Sequence, residues 1–295
     1  MTPSIRLDQV TLRRGNRVVL RGLSGTFASG SLTAITGPNG AGKSTLLQAL
    51  CGARPIASGR IDRGGLTARD IALLPQEGRL DRGFPITCRD LVALGSTARI
   101  GLFRRIGPDA HDAADRALAA VGLEGIGARP IGALSAGQFQ RVLFARVIVR
   151  DAQVILLDEP FSAVDAATEA DLMTLIHAWH QRGRTVIAVL HDLALIRGAF
   201  PRTLVLGSRG PMDPMDHDPM RHTLAWGATD AVLSARPAAP LAAVQGERLF
   251  LSPASPSLMP MSPSSMPAPS MSPPSMPAAS MSAASMSAAQ GEAAT

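Results

Sequence analysis

The chain contains no tyrosine, and with eight phenylalanines and two tryptophans its aromatic content is only 3% of 295 residues. Single-stranded nucleic acid is held largely by stacking on aromatic rings, so this composition argues against such a surface. Lysine is almost absent too: Lys43 is the only one, and every other strong base is arginine. The net charge of +6 is spread over scattered arginines rather than one compact basic helix, and no nucleic-acid partner is expected. Cysteine is limited to Cys51 and Cys88. The opening MTPSIRLDQV has no apolar h-region of a signal peptide, so the two thiols read as reduced and the chain as intracellular. Apolar runs such as 154–157 and 186–190 are far shorter than the roughly 20 residues that cross a bilayer. Hydrophobic residues nevertheless make up 46% of the chain against 18% charged, ample for a buried core.

Short apolar runs alternate with longer helical periodicities, the pattern of an α/β domain with a parallel sheet. Residues 32–36, 71–74, 154–157 and 186–190 read as buried strands, and 44–50, 108–121 and 166–181 as helices. The segment 5–20, turning at Arg14-Gly15-Asn16, reads as an antiparallel hairpin. Two regions break the pattern. One is a polar insertion at 207–222 between apolar runs at 203–206 and 224–226, expected as a long hairpin loop. The other is a tail over 236–295, in which Met261, Met266, Met271, Met276, Met281 and Met286 recur every five residues among Ser, Pro and Ala. Such a segment has little to bury and is expected to be disordered, leaving one domain over 1–235.

The sole lysine lies in Gly37-Pro38-Asn39-Gly40-Ala41-Gly42-Lys43-Ser44, between a predicted strand and a predicted helix. This spacing is that of a phosphate-binding loop. Glycines let backbone N–H groups curl around phosphates, and the following helix adds its positive end. Lys43 would bridge the β- and γ-phosphates of ATP, Ser44 would hold Mg²⁺, and Thr45 continues the same turn. A compact ammonium on a slim stem suits such a loop where a planar guanidinium does not. The run at 154–157 ends in Asp158-Glu159, two carboxylates delivered at the end of a buried strand. Asp158 is expected on the metal side, and Glu159 as the base that polarises the attacking water.

Leu134-Ser135-Ala136-Gly137-Gln138 resembles the LSGGQ signature of ABC ATPases. Gln76 after Leu73-Leu74-Pro75 is similar to the family's Q-loop, Ser162-Ala163-Val164-Asp165 to its D-loop, and His191 to its switch histidine. These motifs, with the phosphate loop and the Asp-Glu pair, stand in the family's order over about 5–234. The resemblance implies an ABC-type P-loop domain, with an antiparallel β subdomain and a helical signature subdomain at about 78–150. It also implies a head-to-tail homodimer that sandwiches two ATP molecules. Ser135, Gly137 and Gln138 of one subunit would contact the nucleotide of the other, and Asp165 would couple the two sites. Gln76 would sense Mg²⁺ and water, and His191 would bond the γ-phosphate.

Two departures stand out. Ala136 replaces the first signature glycine, which is harmless unless that position needs a positive φ. Arg14 stands where the family places an aromatic ring on adenine; a guanidinium stacks on a base or points to solvent, and both readings remain open. The stretches 138–146, 158–169 and 191–197 look like the family's metal-ion branch. That implies the ATPase subunit of a zinc or manganese importer, at the cytoplasmic face of the cell membrane. It would work with integral-membrane permease subunits and, indirectly, a substrate-binding protein. Iron chelates are an alternative cargo, and a non-transport ABC ATPase is an alternative class. Asp213, Asp216, His217, Asp218 and His222 in the insertion are potential Zn²⁺ ligands, but a Pro- and Asp-rich loop does not preorganise a site.

Overall fold

The computed structural model describes residues 3–76, 81–97, 107–162, 164–207 and 224–234. The insertion expected at 207–222 (Gly207 apart) and the tail expected from 236 lie outside these residues. The first compact unit runs over residues 1–242 and carries everything described here.

A six-stranded sheet forms its centre, in the order β5 (Ile71–Leu74), β6 (Val154–Asp158), β7 (Thr185–Val189), β3 (Leu32–Thr36), β8 (Arg202–Leu206), β9 (Leu224–Ala228). The first five strands are parallel and β9 pairs antiparallel with β8. Every residue of β3, β6 and β7 is buried, as expected of parallel strands covered on both faces. The alternation of side chains divides each strand between two cores. Ala34, Leu74, Leu157 and Ala188 point to one, with the helices 88–93 and 136–150. Ile35, Val154, Leu156 and Ile187 point to the other, with Leu46, Leu50 and the first hairpin.

That hairpin pairs β1 (Ile5–Arg14) with β2 (Arg17–Phe27), and β4 (Ser58–Asp62) joins it in a separate antiparallel sheet. Between the sheets lies α1 (Lys43–Leu50), whose hydrogen bonding continues one residue past its end, because Cys51 N–H still donates to Leu47 O. Helices α2 (Cys88–Ala93), α3 (Pro108–Ala120) and α4 (Ala136–Arg150) pack together through Leu91, Val92, Ala117, Leu118, Val142 and Leu143. The chain is completed by α5 (Ala166–Gln181), α6 (Leu193–Ala199) and α7 (Thr229–Ser234). The sequence reading agrees for β3, β5 and α5 at both ends and within two residues for β6, β7, α1 and α3. It does not foresee β4, α6 or α7, which are short and carry few periodic apolar positions.

Candidate functional site

In an open α/β sheet the crevice beyond the carboxyl ends of the strands is where ligands bind. Here β3, β5, β6 and β7 all end at one cleft of about 750 Å³, lined by Arg14, Asn39, Lys43, Ser44, Gln76, Glu159 and His191 among others. β3 runs into the glycine-rich loop. Gly37 adopts φ +140°, and a Cβ there would lie 2.0 Å from Leu206 O, so no side chain is tolerated. Gly42 precedes α1 in the left-handed region at φ +93°, which turns the chain so that the helix N-terminus faces the cleft. Ala41 N–H closes the loop onto Pro38 O at 3.2 Å.

Lys43 is buried, and its ammonium donates to the carbonyls of Gly37 (2.7 Å) and Pro38 (3.0 Å), lying back over the loop. Burial pulls its pKa below the ordinary lysine value, while the carboxylates of Glu159 and Asp158 oppose that shift. The Ser44 hydroxyl donates to Asp158 Oδ1 at 2.8 Å, and Asp158 is itself only 1% exposed. This hydroxyl–carboxylate pair is a hard-oxygen set that suits Mg²⁺, which takes one or two protein oxygens and fills its sphere with water and phosphate.

Glu159 follows in a left-handed conformation, φ 53°, unusual for a residue with a side chain. Both of its carboxylate oxygens accept hydrogen bonds. Gln76 Nε2 donates to Oε2 at 2.7 Å, and His191 Nε2 lies 2.9 Å from Oε1, where a carboxylate requires the ring nitrogen to carry its proton. The carboxylate is thus aimed into the cleft and oriented from two strand ends, β5 and β7.

The residues expected from the sequence divide into two groups. The loop from Gly37 to Thr45, Arg14, Gln76, Asp158, Glu159 and His191 come together at or beside the cleft. Ser135, Gly137, Gln138 and Asp165 are not among its lining residues. Ser135 caps α4: its hydroxyl accepts from Gln138 N–H while Gln138 Oε1 accepts from Ser135 N–H, both at 3.2 Å. Ala136 is the first residue of that helix and has no positive φ, so the missing glycine costs nothing in backbone conformation. Asp165 caps α5, accepting from Thr168 N–H at 2.8 Å. Sequence reasoning missed Val19, Gln48 and Arg54, which also line the cleft. Gln48 could have been found, since it lies three residues beyond Thr45 on the same helical face; nothing in the sequence marked Arg54.

A family profile described as ABC transporter matches residues 20–162. The zinc transport system ATP-binding protein TroB of Treponema pallidum is 40% identical over 210 residues, covering 70% of this chain and 79% of that protein. The manganese transport system ATP-binding protein MntB of Bacillus subtilis is also 40% identical, over 70% of this chain and 84% of its own length. Among solved structures, a dimeric ATP-binding cassette in a post-hydrolysis state bound to ADP and phosphate superposes with a TM-score of 0.60. That structure is 25% identical, over 68% of this chain and 93% of its own. With relatives this similar over most of their length, the chain belongs to the ABC transporter family as one of its ATP-binding proteins.

Proposed function

We propose that the chain is the ATP-hydrolysing subunit of a transporter that imports a divalent metal ion, zinc or manganese, through a separate membrane permease. The observation that carries the hydrolytic part is Glu159. It is a carboxylate held by two donors at the mouth of a phosphate loop, close enough to Lys43 to act on its charge. The cargo rests on the names of the relatives, zinc for one and manganese for the other.

In this reading the loop N–H groups and Lys43 hold the triphosphate, exchanging the lysine's contacts with Gly37 and Pro38 for phosphate oxygens. Ser44 and Asp158, with Gln76 nearby, would hold Mg²⁺, which would supply positive charge against the phosphate oxygens. Glu159 takes a proton from water as the water oxygen bonds to the γ-phosphorus. The bond to the bridging oxygen breaks, leaving ADP and inorganic phosphate. His191 stands beside Glu159 to donate to the γ-phosphate. Ser135, Gly137 and Gln138, outside this chain's own cleft, would meet the nucleotide of a second copy across a homodimer, and Asp165 would link the two sites. The position of Gln76 between β5 and the helical layer suits it to report on the nucleotide to the permease.

Glu159→Gln keeps the size and one accepting oxygen for these neighbours but removes the base. The variant is expected to run as an ATP-bound dimer in sedimentation and to turn over at least about a hundredfold more slowly. Unchanged turnover would remove Glu159 from the role. With permease and binding protein reconstituted, zinc or manganese should stimulate ATPase activity; stimulation by neither would overturn the cargo.

A further inference from the structure

The cleft has a second end, away from Glu159, and its chemistry differs from that of the phosphate end. Thr45 and Gln48, three apart on α1, carry the cleft wall from Ser44 toward the β1–β2 hairpin. Past the helix the chain folds back. Arg54 N–H donates to Gln48 O at 3.2 Å, Arg54 Nε to Gln48 Oε1 at 3.0 Å, and one terminal guanidinium nitrogen to Arg13 O at 3.3 Å. Arg54 is therefore tied by its backbone to α1 and by two guanidinium nitrogens between α1 and the hairpin, beside Arg14 and Val19. A guanidinium already held in place loses little freedom on meeting a ligand.

Apart from the Thr45 hydroxyl, which both donates and accepts, the side chains lining this end are donors or apolar. Arg14 and Arg54 only donate, and the Gln48 oxygen is already taken by Arg54, so its amide nitrogen is what it has to offer. The one carboxylate lining the cleft, Glu159, is bonded to Gln76 and His191 at the other end. No aromatic ring lines the cleft among the described residues. The base of a nucleotide whose phosphates sit on Lys43 would meet an edge of donors. Guanine presents O6 and N7 side by side as acceptors, the pair that an arginine fork fits. Adenine presents N7 beside the N6 amino group, which would face these donors with a donor of its own.

We propose that Arg54, set by Gln48, reads the base, and that this cleft takes GTP at least as well as ATP. The proposal rests on the nucleotide reading above. The test is calorimetric titration of the full chain with Mg²⁺ and the β,γ-imido analogues of ATP and GTP, for wild type and Arg54→Lys. The lysine keeps the positive charge but lacks the fork. In wild type the GTP analogue should bind as tightly as the ATP analogue or more tightly. Arg54→Lys should weaken the GTP analogue about tenfold and leave the ATP analogue within about twofold, the scale of one lost bidentate pair. A wild-type preference for the ATP analogue of more than about tenfold, or an equal loss of both in the variant, overturns the proposal and leaves the nucleotide site standing. Binding of neither analogue by folded wild type overturns both. The wild-type ratio decides even if the variant does not fold.

Discussion

The Asp165 carboxylate accepts from Thr168 N–H and, at 3.2 Å, from the Thr168 hydroxyl. The backbone hydrogen bond first and the hydroxyl second hold its pKa below the ordinary aspartate value. A carboxylate depressed in the folded state stabilises the fold above its unfolded pKa, and that contribution fades as pH falls through the folded value. Asparagine does not titrate. The stability difference between wild type and Asp165→Asn, read by urea unfolding, should therefore hold steady near neutrality and shrink through the acid range. A difference independent of pH would show that the cap is not charge-assisted. The same residue shows what a sequence discloses. Lys43, Ser44, Asp158 and Glu159 were legible because the phosphate loop demands particular backbone shapes at fixed spacing, with glycine at Gly37 and Gly42 where φ is positive. Val19, Gln48 and Arg54 were not, because each matters only through where folding brings its side chain. The capping of α5 by Asp165 was hidden behind the D-loop resemblance, although both readings use one carboxylate.

At the scale of elements, α4 connects the signature-like segment to the turn after β6 that carries Glu159, inside one chain. Its N-terminus carries Ser135, and in its second turn Gln140 is 1% exposed and donates from Nε2 to Pro160 O at 2.7 Å. Pro160 directly follows Glu159, whose left-handed turn is further closed by Ser162 N–H on Glu159 O at 3.3 Å. Gln140 is thus placed to fix the carbonyl just beyond the left-handed turn at Glu159, which predicts a positioning role. Gln140→Leu keeps the bulk and removes the donor, leaving the Pro160 carbonyl unpartnered. Turnover should fall about tenfold while the Kd for ATP stays within about twofold, a split that general loosening of the fold would not give. Equal losses in both would reduce Gln140 to packing. Arg141, the next residue, braces α4 differently, reaching Thr168 Oγ1 at 2.8 Å and Asp171 at 3.2 Å on α5. The period of apolar residues announced α5 and the strands, whereas these cross-element ties have no period and left no pattern to read.

For the whole molecule, the parallel sheet and its loop order were legible because buried strands are short apolar runs and the motifs sit at their carboxyl ends. The strand order was not, since register and neighbour choice depend on contacts far apart in sequence, such as Leu32 beside Val186 and Thr33 beside Arg202. No helix among the described residues is long and apolar enough to cross a membrane. Every residue assigned to the cleft, the signature and the two cores, among the described residues, lies between Ile5 and Leu233. The repeats of Met, Ser, Pro and Ala beyond them offer composition with little to bury. A segment of that composition is expected to be dispensable to both core and site. Removing residues from Pro253 onward is therefore expected to leave ATPase activity of the assembled transporter within about twofold and the melting temperature within about 2 °C. A large fall in activity at unchanged melting temperature would instead assign the repeat to the transport cycle, by contact with the permease or the second copy. A fall in melting temperature would place part of the core beyond residue 253.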